Sequence, residues 1–270
     1  MVSKQGAKIL AGGQSLITLM KLRLAAPEVL IDINSIPELT CIREEDGSIV
    51  LGALVRHDEL ATSKLIREKC PTLSDAASVI ADQQVRNRGT IGGSLAHADP
   101  SADLPAACTA LGATVVAASL KGMRLIRLNE FFTNYFTTSL RQDEIIKEVQ
   151  IPLPRPSSGG VYLKLTKGQY DFSLVSVAAQ LTIGDDDTCQ AASVVLGGVA
   201  PTPHHAANTE AFLTGRRLDR RVIEEGAQKA SEGLEPPSDF RASAEYRTER
   251  AVILTRSAIE KAVGRAHGGM

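Results

Sequence analysis

The residues with the clearest chemical capacity lie in one stretch: Gly89-Thr90-Ile91-Gly92-Gly93-Ser94-Leu95-Ala96-His97-Ala98-Asp99-Pro100-Ser101-Ala102-Asp103-Leu104-Pro105. Two adjacent glycines are flanked by the hydroxyls of Thr90 and Ser94 and followed by the carboxylates of Asp99 and Asp103. Glycine lets a backbone approach a ligand with no Cβ in the way, and it adopts φ > 0 readily. Such a turn can aim several N–H groups at one anion. A second stretch of the same kind lies upstream, Ala11-Gly12-Gly13-Gln14-Ser15-Leu16. Either pair alone reads equally well as a tight turn, where glycine is the default residue. Two such pairs far apart in sequence point to a diphosphate clamped from two sides.

Other polar residues carry weaker signals. Arg86 and Arg88 are candidate phosphate ligands or two solvated arginines at a turn. His97 either faces a ligand or hydrogen-bonds backbone. His204 and His205 follow Pro203 and read as a surface loop. Asp185, Asp186 and Asp187 lack the spaced ligands and glycine of a calcium loop and read as a solvated turn. A GxGxxG fingerprint, a P-loop and a nucleophile elbow are absent. The pattern is that of a binder of a phosphorylated ligand with no catalytic acid or nucleophile of its own. That suits a redox cofactor, which brings its own chemistry.

Composition narrows the field. With 270 residues, 43% of them hydrophobic and 23% charged, the chain has room for two or three subdomains with proper cores. A net charge of −1 gives no electrostatic reason to expect nucleic acid or an anionic membrane. Aromatic residues are 4% with no Trp, which leaves few base-stacking platforms. No apolar run is long enough to span a bilayer, and the N-terminus lacks a secretory h-region. No stable membrane insertion is therefore expected, and a cytoplasmic location is the default. Cys41, Cys70, Cys108 and Cys189 form no C-x-x-C pair and are expected to be reduced, mostly buried small apolar residues.

Regular elements must position these residues. Lys8-Ile9-Leu10 reads as a strand running into the first glycine turn. Ser15 is placed to cap a helix with Leu16, Leu19, Met20 and Arg23 at helical spacing, and 29–33 reads as the next strand. This βαβ-like opening would bring phosphate to a helix N-terminus. Asp46-Gly47 marks a hairpin. Helices are expected over 58–69 and 72–80, separated by Pro71. Residues 82–105 read as one long connection, a kind more often functional than not. Next come a helix over 104–111, a hairpin around Lys121-Gly122, a helix capped by Asn129 with Phe131 and Phe132, and a strand over 144–153. Pro154-Arg155-Pro156-Ser157-Ser158-Gly159-Gly160 is the clearest linker. Beyond it 162–166, 175–183 and 192–199 read as strands. The middle one reads as half-buried, since Val175, Val177, Ala179, Leu181 and Ile183 alternate with Ser176, Ala178, Gln180 and Thr182. Helices over 209–213, 220–232 and 243–265 follow, with Val252, Ile259 and Val263 sharing a face of the last.

The motif Ala11-Gly12-Gly13-Gln14-Ser15-Leu16, the run from Val85 through Arg86, Asn87, Arg88 and Gly89 to Ser94, and the run from Ala98 to Pro105 together resemble the FAD-binding subunit of the xanthine dehydrogenase family. The most similar subgroup is the FAD-binding (medium) subunit of carbon monoxide dehydrogenase-type molybdenum hydroxylases. Leu22-Arg23-Leu24, Asp32-Ile33-Asn34, Pro37-Glu38-Leu39, Asp143-Glu144-Ile145-Ile146, Ile151-Pro152 and the Lys164 strand match as well. The resemblance covers almost the whole chain.

It implies an α+β fold with two α/β subdomains of the PCMH-type FAD-binding fold. These are 1–52, expected to be truncated because the family carries a further strand and helix ahead of the first glycine motif, and 53–156. A C-terminal domain, 161–270, would combine a three-stranded antiparallel sheet with a helical bundle. By the same resemblance Ala11, Gly12, Gly13, Gln14 and Ser15, with Leu16 completing the stretch, and Thr90, Ile91, Gly92, Gly93 and Ser94 hold the FAD diphosphate through backbone N–H groups. Asp103 matches a carboxylate on the ribityl or adenosine side, Ile146 and Lys164 match cofactor contacts, and Ile80 matches an apolar position beside them. No catalytic residue and no metal are expected in this chain.

The resemblance further implies an oxidoreductase subunit that accepts electrons from iron–sulfur clusters of a partner and passes them to an external acceptor. The molybdenum cofactor would sit in a large molybdopterin-binding subunit and the clusters in a small 2Fe-2S subunit, in a heterohexamer built as a dimer of heterotrimers. Two other readings are a cofactor-free structural or assembly subunit and a stand-alone small-molecule flavin oxidase. Lys167-Gly168-Gln169-Tyr170-Asp171 departs from the family pattern, and Tyr170 either shapes acceptor access or packs against the sheet.

Overall fold

Period-two alternation explains the C-terminal half, once both faces of its sheet are counted. In the computed structural model, which describes residues 6–268, strands Ser158–Leu165, Val175–Ile183 and Cys189–Gly197 pair antiparallel. Their register aligns Val161, Ala179 and Val194 on one face and Tyr162, Ala178 and Val195 on the other. The first set packs with the helix Ala244–Ala266, and the second joins the core of the preceding part of the chain. Strand Val175–Ile183 is therefore buried on both faces rather than half-buried. Small Ala178 lets helices Pro71–Ser78 and Asp103–Ala110 approach that second face.

The same close packing corrects the linker. Gly159 and Gly160 lie inside strand Ser158–Leu165, because a Cβ at Gly159 would collide with the backbone of Ala262 and one at Gly160 with Gln180 and Thr72. The sheet also gains a fourth, two-residue strand, His204–His205, in place of the expected loop. It is pinned because His205 Nδ1 lies 2.9 Å from Glu210 and Nε2 lies 3.1 Å from Asn129. In the last helix the buried face is Arg247, Ala251, Thr255, Ala258, Ile259 and Ala262, while Val252 lines a groove of about 810 Å³ beside helix Arg220–Gln228.

The middle of the chain holds a five-stranded antiparallel sheet. Its order is Ile42–Glu45, Ser48–Gly52, Ile145–Pro152, Thr114–Ser119 and Gly122–Arg127. The helix expected over 58–69 breaks into His57–Thr62 and Lys64–Lys69 at Ser63, whose ψ of 125° is extended. Thr62 Oγ1 donates back to the Asp58 carbonyl at 2.7 Å, a local bond that competes with helix propagation. The helix near Asn129 spans Leu128–Phe131, so Asn129 lies inside it rather than capping it, and Phe132 opens a short strand. Residues 82–105 contain the helices Gln83–Arg86 and Ile91–His97 and the start of Asp103–Ala110. Helices of four to eight residues are too short to display a period.

At the N-terminal end, strands Ala7–Leu10 and Val29–Asp32 pair parallel around helix Leu16–Lys21. Their own buried cluster is small: Ile33, Leu39 and Leu54, with Ile9, Ala11 and Ile31 against it. Among the described residues no helix is long and apolar enough to cross a membrane.

Candidate functional site

The first glycine stretch leaves strand Ala7–Leu10 and bends before helix Leu16–Lys21. Gly13 has φ +77°, a conformation that favours glycine. Gly12 is buried against the carbonyl of Arg88 and the Cα of Gly89, and a Cβ there would overlap both. The two glycine stretches therefore meet backbone to backbone. Among the described residues, the N–H groups of Gly12, Gly13, Gln14 and Ser15 donate to no acceptor in the chain. The Ser15 side chain makes no cap bond, contrary to expectation. Its φ/ψ of −97°/−53° is already helical, whereas a capping serine needs extended backbone.

The second stretch is built differently. Thr90 is extended and caps helix Ile91–His97, its Oγ1 accepting from Gly93 N–H at 3.1 Å. Gly92 and Gly93 are helical and not at positive φ, so they do not form the expected turn. Glycine is needed there for space. A Cβ on Gly92 would lie 2.7 Å from the Ala53 carbonyl oxygen, and one on Gly93 would lie 2.7 Å from Thr90 Oγ1. Ile91 N–H donates to Val55 O at 3.0 Å, Gly92 N–H to Ala53 O at 2.9 Å and Ser94 N–H to Thr90 O at 2.9 Å. Most donors on this side are thus already paired within the chain.

Arg86 is structural. Its Nη1 donates to the carbonyls of Ile80 and Ala81 at 2.9 and 2.8 Å, holding a bend in which Ala81 has φ +37°. Arg88 is exposed. His97 packs against Phe136 with ring centroids 5.2 Å apart and planes tilted by 51°. Tyr170 is 58% exposed at φ +72°, so it does not pack against the sheet.

Helix Asp103–Ala110 and strand Ser158–Leu165 bring together a buried polar cluster. Lys164 Nζ lies 3.1 Å from Asp103 Oδ2, with 6% and 5% of the two side chains exposed. Tyr162 Oη donates to Asp103 Oδ1 at 2.8 Å. Lys164 also donates to the Val79 carbonyl at 3.2 Å, next to Ile80. Burial pushes the Asp103 carboxyl up, while Lys164 and the Tyr162 hydroxyl pull it back. Burial, reinforced by Asp103, holds the Tyr162 hydroxyl well above its ordinary value, so the phenol keeps its proton. Ile80 is half-buried against the core, and Ile146 is buried at the point where its strand slips register against Val116 and Ala117. Beside Asp99 and Ser101, in the loop that leads into helix Asp103–Ala110, lies a cavity of about 460 Å³ rimmed by Tyr135, Phe136 and Phe172.

Two residues of this region escape a reading by motif. Tyr162 looks like an ordinary strand aromatic, although its i,i+2 spacing from Lys164 puts both on one face. His57 is 6% exposed beneath Gly89, and its Nδ1 has no hydrogen-bond partner. Burial, with Arg56 and Arg86 nearby, pushes its pKa down to about 4.

Comparison with known proteins agrees with this geometry. Residues 1–154 match the FAD binding domain in molybdopterin dehydrogenase, and 161–262 match the CO dehydrogenase flavoprotein C-terminal domain. The chain is 39% identical over 260 residues to the 6-hydroxypseudooxynicotine dehydrogenase complex subunit alpha of Paenarthrobacter nicotinovorans, covering 96% of this chain and 88% of that protein. It is 37% identical to the carbon monoxide dehydrogenase medium chain of Hydrogenophaga pseudoflava, over 96% of this chain and 90% of that one. The solved carbon monoxide dehydrogenase of that organism superposes with a TM-score of 0.94 at 38% identity, covering 97% and 91% of the two chains. Quinoline 2-oxidoreductase from Pseudomonas putida 86 superposes at 0.92 with 36% identity, over 97% and 90%. With two glycine stretches abutting, a row of unpaired N–H groups and both family models matched in order, the chain belongs to the FAD-binding flavoprotein family of the molybdopterin dehydrogenases.

Proposed function

We propose that this chain carries FAD for a multisubunit molybdenum hydroxylase, taking electrons from iron–sulfur clusters of a small partner and releasing them to an external acceptor. A large molybdopterin-binding partner would hold the hydroxylation site. The observation that carries this reading is the set of unpaired N–H groups at Gly12, Gly13, Gln14 and Ser15, facing a second glycine stretch. Successive free amides beside a helix start fit a diphosphate. Ala11 and Leu16 bound this loop, and Thr90, Ile91, Gly92, Gly93 and Ser94 form the opposite wall. Bound there, FAD supplies the electron-storing chemistry that no side chain of this site has. Tyr162 and Lys164 fix the orientation of the Asp103 carboxyl by their hydrogen bonds, Lys164 would offer a donor to the bound group, and Ile80 and Ile146 would give it an apolar lining.

The relatives support the assembly and bear on the substrate. They are named as a complex subunit and as medium chains, which supports one large and one small partner. Their names refer to 6-hydroxypseudooxynicotine, carbon monoxide, nicotine and caffeine at 33–39% identity to this chain. Substrates that differ so much over one conserved scaffold argue that substrate choice lies in another chain. The two family matches, 1–154 and 161–262, support a boundary between 53–156 and 161–270. A further division at 1–52 would cut through the middle sheet and the apolar cluster that runs from Ile49 to Val195, and limited proteolysis would test it.

An absorbance scan of the purified protein tests the reading. Stoichiometric oxidised-flavin bands, bleached by substrate only when the partner subunits are present, are expected. A colourless protein that takes up no added FAD overturns it and favours a cofactor-free assembly subunit. Turnover of a small molecule without partners favours a stand-alone oxidase. Sedimentation of the native complex tests the dimer of heterotrimers.

A further inference from the structure

We infer that Arg56 and Asn34 form a two-residue tie that keeps the two glycine stretches in register, which makes Arg56 a positioning residue for the cofactor. The inference rests on the FAD reading above. Asn34 follows strand Val29–Asp32, and its Nδ2 donates to the Ala11 carbonyl at 2.8 Å. Asp32 Oδ1 accepts from the same Nδ2 at 2.6 Å and from Asn34 N–H at 2.9 Å, which fixes the amide so that Oδ1 faces the other way. There Asn34 Oδ1 accepts from Arg56 Nη2 at 2.7 Å. The other terminal nitrogen, Arg56 Nη1, donates to the Arg88 carbonyl at 2.5 Å. That carbonyl is the one against which Gly12 packs. The backbone of Arg56 is itself anchored opposite Thr90, by His57 N–H to Gly89 O and Ile91 N–H to Val55 O, both 3.0 Å.

One guanidinium therefore spans from the second stretch to the first, through a single amide. The span matters because, among the described residues, the N-terminal unit is held by a small buried cluster, Ile33, Leu39 and Leu54, with Ile9, Ala11 and Ile31 against it. Its loop must nevertheless present four amides at fixed spacing. A planar fork with two fixed donors suits two acceptors at once, whereas a lysine ammonium on a flexible stem serves one of them at a time. The tie uses no group that the ligand itself requires.

The test is a titration of apo-protein with FAD, read by flavin fluorescence, for wild type, Arg56→Lys, Asn34→Ala and the double variant. The unfolding temperature of each apo-protein and amide hydrogen exchange over 11–16 are read alongside. Arg56→Lys and Asn34→Ala are each expected to weaken FAD binding about tenfold, chiefly through faster dissociation, with apo unfolding temperatures near wild type. The double variant should be no weaker than the worse single, since both break one path. Wild-type affinity in Arg56→Lys, or fully additive losses, overturns the tie. If Asn34→Ala fails to fold, Arg56→Lys decides alone, because it keeps the charge and the stem. A wild type that binds no FAD overturns the cofactor reading and the positioning role with it. Exchange over 11–16 then still decides the tie itself, faster in Arg56→Lys if it holds and unchanged if it does not.

Discussion

Gly12-Gly13 and Gly92-Gly93 are the same dipeptide in two different physical situations. At the first, the backbone bends through a positive φ at Gly13, the amides of residues 12–15 are unpaired, and the local buried cluster is three residues. At the second, the backbone is helical and the amides of residues 91–94 are paired within the chain. The surrounding cluster there is the largest in the molecule, reaching from Ile49 to Val195. Gly12 makes room for a neighbouring backbone, and Gly92 makes room for Ala53. Adjacent glycines thus announce only that something must come close. Where the backbone donors go decides whether that is the protein itself or a ligand.

Substitution should separate the two. Gly92→Ala puts a Cβ 2.6 Å from the Cβ of Ala53 in a core that cannot yield, and is expected to lower stability by about 3 kcal/mol. Calorimetry on the apo-protein measures it, and melting at the wild-type temperature would erase the distinction between the pairs. Gly12→Ala lies at the edge of a small cluster and is expected to fold. Its Cβ forces the backbone of Arg88 and Gly89 away, and FAD binding should weaken about 100-fold, roughly 2.7 kcal/mol. Undiminished FAD affinity in this variant would remove the first stretch from the cofactor site. One substitution costs fold and the other affinity, which is the comparison in its sharpest form.

Much of this was legible in the sequence, for reasons that differ by region. The hairpin at Asp46-Gly47 was visible because both residues adopt positive φ, 47° and 71°, which their types favour. The alternation in 175–183 is visible too, but not its second buried face, because that face is covered by helices Pro71–Ser78 and Asp103–Ala110, both distant in sequence. Gly159 and Gly160 read as a linker, since nothing local reveals that Ala262 and Gln180 press on them. The two glycine stretches were paired as a clamp by type and by resemblance, while their unequal use of backbone donors needed coordinates. Asp103 and Lys164 came from resemblance alone, and Tyr162 between them was hidden as a strand aromatic.

Acid should distinguish the regions again, since His57 lies under the second stretch. Its pKa is lowered in the fold to about 4 from an ordinary 6.5, so the unfolded chain binds the extra proton between those values. A depressed histidine contributes full stability above 6.5 and loses it progressively as pH falls toward 4. At pH 5 the loss should be about 2 kcal/mol. His57→Asn should flatten the pH dependence of unfolding between pH 7 and 5 relative to wild type, whatever its own stability. Parallel wild-type and variant curves would mean that the buried ring is not what senses acid.

The smallest effect tests whether the second region is packing alone. Thr90→Val keeps the extended, β-branched side chain but removes the oxygen that accepts from Gly93 N–H at 3.1 Å. Loss of a helix cap should lower stability by about 1 kcal/mol. Because the first stretch holds the unpaired amides, FAD affinity should change less than about twofold, a difference under 0.5 kcal/mol. Thr90→Ser restores the oxygen and should restore the stability. If Thr90→Val instead keeps its stability and loses FAD tenfold, the hydroxyl serves the ligand rather than the helix. The two glycine stretches would then be two equal jaws, and the asymmetry drawn from their hydrogen bonds would fall.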